Sequence, residues 1–132
     1  MTLGNIAELP AGQQAAINAN AATTITAAMC AHESVADVAQ YGCRALAIIA
    51  GFPAGQQAVV DAGAVEIIIA ALRAHVDSAD VAECGCVALA NIAYLPTGKA
   101  AIIAAGGRAA ITAAKRHASA NEDAGAALAL LV

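Results

Sequence analysis

Four cysteines and three histidines carry the widest chemical range in this 132-residue sequence, and their spacing limits what they can do. Cys84-Gly85-Cys86 has the outline of half a metal site. Residues two apart do not share a helix face, and a structural zinc wants four converging Cys or His ligands, so no metal is expected. Cys30 and His32 could be read as nucleophile and base, but they too are two apart and point different ways on a helix. Cys43 and Cys86 are 43 residues apart inside matching apolar runs. Helices stacked about 8 to 10 Å apart would hold them beyond the roughly 7 Å between Cα atoms that a disulfide tolerates, so both are expected as reduced core thiols. His32 and His75, also 43 apart, close a helix, where an imidazole can meet free carbonyls and the negative end of the dipole. No phosphate-binding glycine loop and no Ser-His-Asp order is present, and nothing brings acid, base and nucleophile together. The expectation is a protein that is not an enzyme and takes no cofactor.

These residues are positioned by a repeat. Pro10, Pro53 and Pro96 are 43 residues apart, as are Gly12, Gly55 and Gly98. Gln13-Gln14 recurs as Gln56-Gln57, and Gly42-Cys43-Arg44-Ala45-Leu46-Ala47 recurs as Gly85-Cys86-Val87-Ala88-Leu89-Ala90. Asn5-Ile6-Ala7 returns two units later as Asn91-Ile92-Ala93. A period in this range signals a solenoid of stacked helical units. The sequence divides into a partial helix at 1–9 and units at about 10–52, 53–95 and 96–132, forming one repeat domain.

Composition narrows the class further. The chain is 61% hydrophobic, mostly alanine, with one Phe, two Tyr and no Trp. Ala has the best helix propensity and lets backbones approach, so an all-α fold is expected. The longest stretch without a charge, Leu9 to His32, has the length of a membrane span, but Pro10, Gly12, Gln13, Gln14, Asn18, Asn20 and three threonines are too polar for hydrocarbon. The first cation is Arg44, so no basic segment precedes an apolar run as in a secretory signal. No membrane partner and an intracellular, cytoplasmic location are expected. A net charge of −4 argues against nucleic acid. Lys99, Arg108, Lys115 and Arg116 nevertheless cluster with no acid between Glu83 and Glu122. That cluster reads either as a solvated helix surface or as a local site for an acidic partner.

Each unit reads as three helices. Proline ends the preceding helix, and a short helix from Gly12, Gly55 or Gly98 runs to a corner at Asn20, Gly63 or Gly106, residue types suited to the left-handed conformation. Second helices follow at Ala21 to Ala31, Ala64 to Ala74 and Gly107 to about Arg116. Val65, Ile68, Ile69 and Leu72 form the apolar face of the middle one. The third unit has Arg108 and Lys115 at matching places, so its face is only partly apolar. Ser34 and Ser78 are candidate N-caps for third helices from about Val35 to Gly51 and about Ala79 to Tyr94, with a last copy from about Ala120. Gly42 and Gly85 inside those helices predict close approach by a neighbour.

Three helices per unit, the corner Asp61-Ala62-Gly63-Ala64 and the ending Ala88-Leu89-Ala90-Asn91-Ile92-Ala93 resemble the armadillo repeat along the whole chain, most closely in the middle unit. The resemblance implies a right-handed α-solenoid of armadillo-type three-helix repeats. It also implies a concave groove lined by the third helices, in which an Asn near each helix end holds the backbone of an extended peptide. Asn5 and Asn91 stand at that place, and Ile48 interrupts the ladder. The Trp that nuclear-import adaptors of this family carry four residues earlier is replaced by Arg44 and Val87, which removes the slots that would grip a basic nuclear-localisation peptide.

By helical spacing the groove should show Asp37, Gln40, Tyr41, Arg44 and Ile48, then Asp80, Glu83, Cys84, Val87 and Asn91, over a buried set of Val38, Cys43, Leu46 and Ile49. The same residues would also serve as an ordinary solvated surface. Two functions are in play: a protein-binding scaffold that takes a protein or extended peptide in this groove, and a self-assembling module. The second reading rests on Leu128, Leu130, Leu131 and Val132, an apolar finish without a polar cap. It predicts a head-to-tail homo-oligomer.

Overall fold

In a computed structural model the described residues are 11–131, and among them the chain forms eight α-helices, one short 3-10 turn and no strand. The helices are α1 (Ala11–Ala31), α2 (Ala36–Ile49), α3 (Pro53–Asp61), α4 (Ala64–Ala74), α5 (Ala79–Ala93), α6 (Pro96–Ala104), α7 (Gly107–Ala114) and α8 (Asn121–Leu130), with the 3-10 turn at Ala118–Ala120. Helices of one kind stack on their counterparts in the next unit: α2 on α5 and α5 on α8, α3 on α6, and α1 on α4 and α4 on α7. No helix among the described residues is long and apolar enough to cross a membrane.

The short helices begin at the proline, two residues before the expected glycine, because proline at the first helical position loses only an N–H that would be unpaired anyway. The glycine two residues on has a different task. A Cβ on Gly55 would lie 1.8 Å from the Ile49 carbonyl oxygen, and one on Gly98 2.3 Å from that of Ile92. Pro-x-Gly therefore starts a helix with its first turn pressed against the last turn of the helix before it. The corners at Gly63 (φ 75°) and Gly106 (φ 79°) are left-handed as expected.

The first unit departs from this pattern. Instead of a corner at Asn20, α1 runs unbroken for 21 residues, and no non-glycine residue among those described has positive φ. Asn tolerates the left-handed region less well than Gly, and the alanine-rich run around it favours helix, so propagation wins over the turn. A cost is visible on the buried side: Asn18 Nδ2 and Thr26 Oγ1 are buried with no hydrogen-bond partner among the described residues.

The core lies where the second and third helices face each other. Val65, Ile68, Ile69 and Leu72 are buried, as are Cys43, Leu46 and Ile49, whereas Val38 is only half-buried. A Cβ on Gly42 or Gly85 would collide with Met29 or Leu72, so the close approach comes from side chains of the second helix at equivalent places. In α7 the partly apolar face is as expected: Ile111 is buried, and Arg108 and Lys115 are exposed. Ser78 caps α5, its Oγ accepting from the Val81 N–H. Ser34 does not cap α2; Val35 takes that position without a side-chain bond.

Candidate functional site

The last turn of α2 explains what Asn91 does. Among its closing carbonyls, those of Leu46, Ile48 and Ile49 accept from the N–H groups of Ala50, Gly51 and Phe52. The Ala47 carbonyl accepts from Asn91 Nδ2 at 2.9 Å. Gln56 Nε2 in turn donates to the Asn91 carbonyl at 3.1 Å. Carbonyls at a helix end need such partners, so Gln56 and Asn91 pin α2, α3 and α5 together across two units. The residue expected to hold a peptide backbone is thus also a structural staple.

Beside this staple is a depression of about 450 Å³ between α2 and α5, lined by Arg44, Ala47, Ile48, Gly51, Phe52, Glu83, Cys84, Val87 and Asn91. Six residues of the expected groove meet there: Arg44, Ile48, Glu83, Cys84, Val87 and Asn91. Ile48 and Val87 make an apolar floor, the first 41% exposed and the second half-buried. Arg44 and Glu83, one residue from each helix, add opposite charges to the lining. The Arg44 guanidinium also lies 5.5 Å from the Tyr41 ring centroid, within cation–π range. Burial pushes the Cys84 thiol up against the opposing pull of Arg44, which hydrogen-bonds it, with smaller upward pushes from Glu83 and Asp80.

The other expected groove residues go elsewhere. Asp37 and Tyr41 line a second depression on the far side of α2, with Ile25, Met29 and Val38. Gln40 and Asp80 line neither depression, and Asn5 lies outside the described residues. Phe52 was not foreseen in the groove. Its signal was the proline after it, which holds the preceding residue extended (φ −111°, ψ 143°) at the mouth of the depression.

Burial pushes the Cys43 and Cys86 thiols up to about 12, with smaller upward pushes from Cys84 and Cys86 on the first and from Asp123 on the second. All four cysteines are free, and only Cys30 is exposed. His75 Nε2 lies 2.8 Å from the Glu33 carbonyl oxygen, and His117 Nε2 lies 2.8 Å from that of Val76. Each imidazole therefore meets a carbonyl of the preceding unit. Sequence reading missed His117, which sits one position short of the 43-residue register. The basic cluster is partly engaged: Arg108 donates to the Leu131 carbonyl, and Arg116 pairs with Asp77. The second is an exposed pair of a kind that contributes little to stability. Among the described residues, no group of three His, Cys, Asp or Glu side chains is placed to hold a metal. Comparison with protein-family models, with curated proteins and with solved structures found no match.

Proposed function

We propose that the chain is a right-handed α-solenoid of armadillo-type repeats and acts as a protein-binding scaffold, taking an extended peptide in the depression between α2 and α5. The observation that carries this reading is the convergence of Arg44, Ile48, Glu83, Cys84, Val87 and Asn91 on one depression of about 450 Å³. A pocket of that size suits one or two side chains, and an apolar floor with few polar groups at its rim is the usual make-up of a recognition site. The stacking of α2, α5 and α8 supports the solenoid reading, because it aligns the third helices on one face. The peptide would set an aliphatic side chain on Ile48 and Val87 and run its backbone past Asn91. Arg44 and Glu83 would select polar groups on either side.

Selection from a displayed peptide library, followed by titration of the selected peptides, tests the reading. Asn91→Ala is a poor probe because it also releases the Ala47 carbonyl. Ile48→Glu changes an exposed floor residue and leaves the staple intact. Saturable binding to the parent chain, weakened at least about tenfold by Ile48→Glu, is expected, since burying an unpaired charge costs more than 1.4 kcal/mol. Failure to select any peptide, or equal binding by the variant, rejects the proposal.

A further inference from the structure

The depression between α2 and α5 is a trough along the two helices: its lining runs from Arg44 to Phe52 on one side and from Glu83 to Asn91 on the other. At the helical rise of 1.5 Å per residue its length is about 12 Å. An extended chain advances about 3.3 Å per residue, so about four residues of a peptide fit along it. Ile48 and Asn91 stand at one level of the trough, Arg44 and Val87 one turn closer to the helix starts, and Glu83 one turn beyond those. An apolar floor therefore gives way to a carboxylate in the direction of the α5 N-terminus.

The charge of this face is one-sided. Helices α2, α5 and α8 carry Asp37, Asp80, Glu83, Glu122 and Asp123 against Arg44 as their one cation, and every other Lys and Arg of the sequence lies outside them. All of these acids except Glu83 have a local explanation, because they sit in the first turn of their helix, where the dipole favours negative charge. Glu83 lies a turn further into α5, is exposed, and is the one acid that lines the trough. It makes no ion pair among the described residues. Arg44 is already engaged, lying over the Tyr41 ring and hydrogen-bonded to the Cys84 thiol. The charge in the trough that awaits a partner is therefore negative.

We infer, resting on the reading of this trough as a peptide site, that its occupant is a cationic peptide with a Lys or Arg two positions from an aliphatic residue, lying along α5. The aliphatic side chain sits on Ile48 and Val87, and the cation meets the Glu83 carboxylate. The spacing follows from two periods. Val87 and Glu83 are about 6 Å apart along the helix axis, and side chains on one face of an extended chain recur every second residue, about 7 Å apart. The stem of a Lys or Arg would cover the half-buried Val87 while its charged head stays in water beside Glu83.

Parallel selections from one displayed random-peptide library, against the parent chain and against Glu83→Lys, test this inference. Glu83 is exposed, and unchanged circular dichroism and melting would show that the variant folds. Peptides selected on the parent should be enriched in Lys or Arg two positions from Leu, Ile or Val, and those selected on Glu83→Lys should carry Asp or Glu there instead. For a peptide selected on the parent, Glu83→Gln and replacement of the peptide's cation by Ala should each weaken binding by up to about fivefold, the range for an exposed pair. Made together they should cost no more than either alone. Added salt should weaken binding to the parent, and less so binding to Glu83→Gln. Selected peptides that Ile48→Glu weakens but that show no cation at this spacing, or that bind Glu83→Gln as tightly as the parent, overturn this inference and leave the peptide site standing. Failure to select any peptide overturns both.

Discussion

Single side chains here are set by close approach and by burial. Gly63 is required for its left-handed φ of 75°. Gly63→Val should cost about 1 to 2 kcal/mol in chemical denaturation, because a β-branched residue resists positive φ. Gly98 is required for space, since a Cβ there would sit 2.3 Å from the Ile92 carbonyl oxygen. Gly98→Ala should therefore cost about 3 kcal/mol, the upper part of the overpacking range, although alanine is ordinarily the better helix former. Unchanged stability in either variant contradicts the geometry. The thiols make a second prediction. In an unfolded chain Cys43 and Cys86 release their protons near 9.0, and in the folded chain only near about 12. Folded thiols hold protons that unfolded ones have lost, so stability should be flat below 9.0 and fall as pH rises from there toward about 12. The slope is up to about 1.4 kcal/mol per pH unit for each thiol. Urea denaturation should show a smaller alkaline loss in a Cys43→Ala, Cys86→Ala double variant than in the parent, and an equal loss refutes the assignment. At neutral pH a thiol reagent should modify Cys30 quickly. Cys43 and Cys86, fully buried, should react only after denaturation, without prior reduction.

At the scale of helices, legibility followed the strength of the local signal. The corners at Gly63 and Gly106 could be read in advance because glycine answers a specific backbone need, and the bounds of α4 followed from them. Asn20 gave the same kind of signal more weakly, and the alanine-rich run through it overrode the turn. What no sequence pattern could show is the consequence, the burial of Asn18 Nδ2 and Thr26 Oγ1 without partners among the described residues. Thr26→Val keeps the shape and removes the orphaned hydroxyl, so it should stabilise the chain by about 1 kcal/mol in thermal or urea denaturation. A destabilised variant shows that the hydroxyl has a partner. Asn91 was legible as a special position, but its bond to Ala47 was not, because that bond depends on which carbonyls the turn after α2 leaves open. Asn91→Ala should cost about 1 to 2 kcal/mol, the range for an orphaned buried acceptor. Stability equal to the parent would show that the Ala47 carbonyl does not depend on it.

Among the described residues α2, α5 and α8 pack in one row, and α3 on α6, α1 on α4 and α4 on α7. That much follows from a constant 43-residue offset: equal units with equal connections present equal faces to one another. The expected groove was legible as a list of residues but not as a shape. Helical spacing selected one stripe along α2, and the packing of α1 beneath α2 divides its members between two depressions, with Arg44 and Ile48 on one side and Asp37 and Tyr41 on the other. The row of third helices is proposed as the binding face. Hydrogen exchange of the chain with and without a selected peptide measures this most directly. Slowed exchange confined to Ala36–Ile49 and Ala79–Ala93, the segments that border the depression, is the predicted result. Slowing instead in Pro53–Asp61 and Pro96–Ala104, with α2 and α5 unchanged, would contradict it.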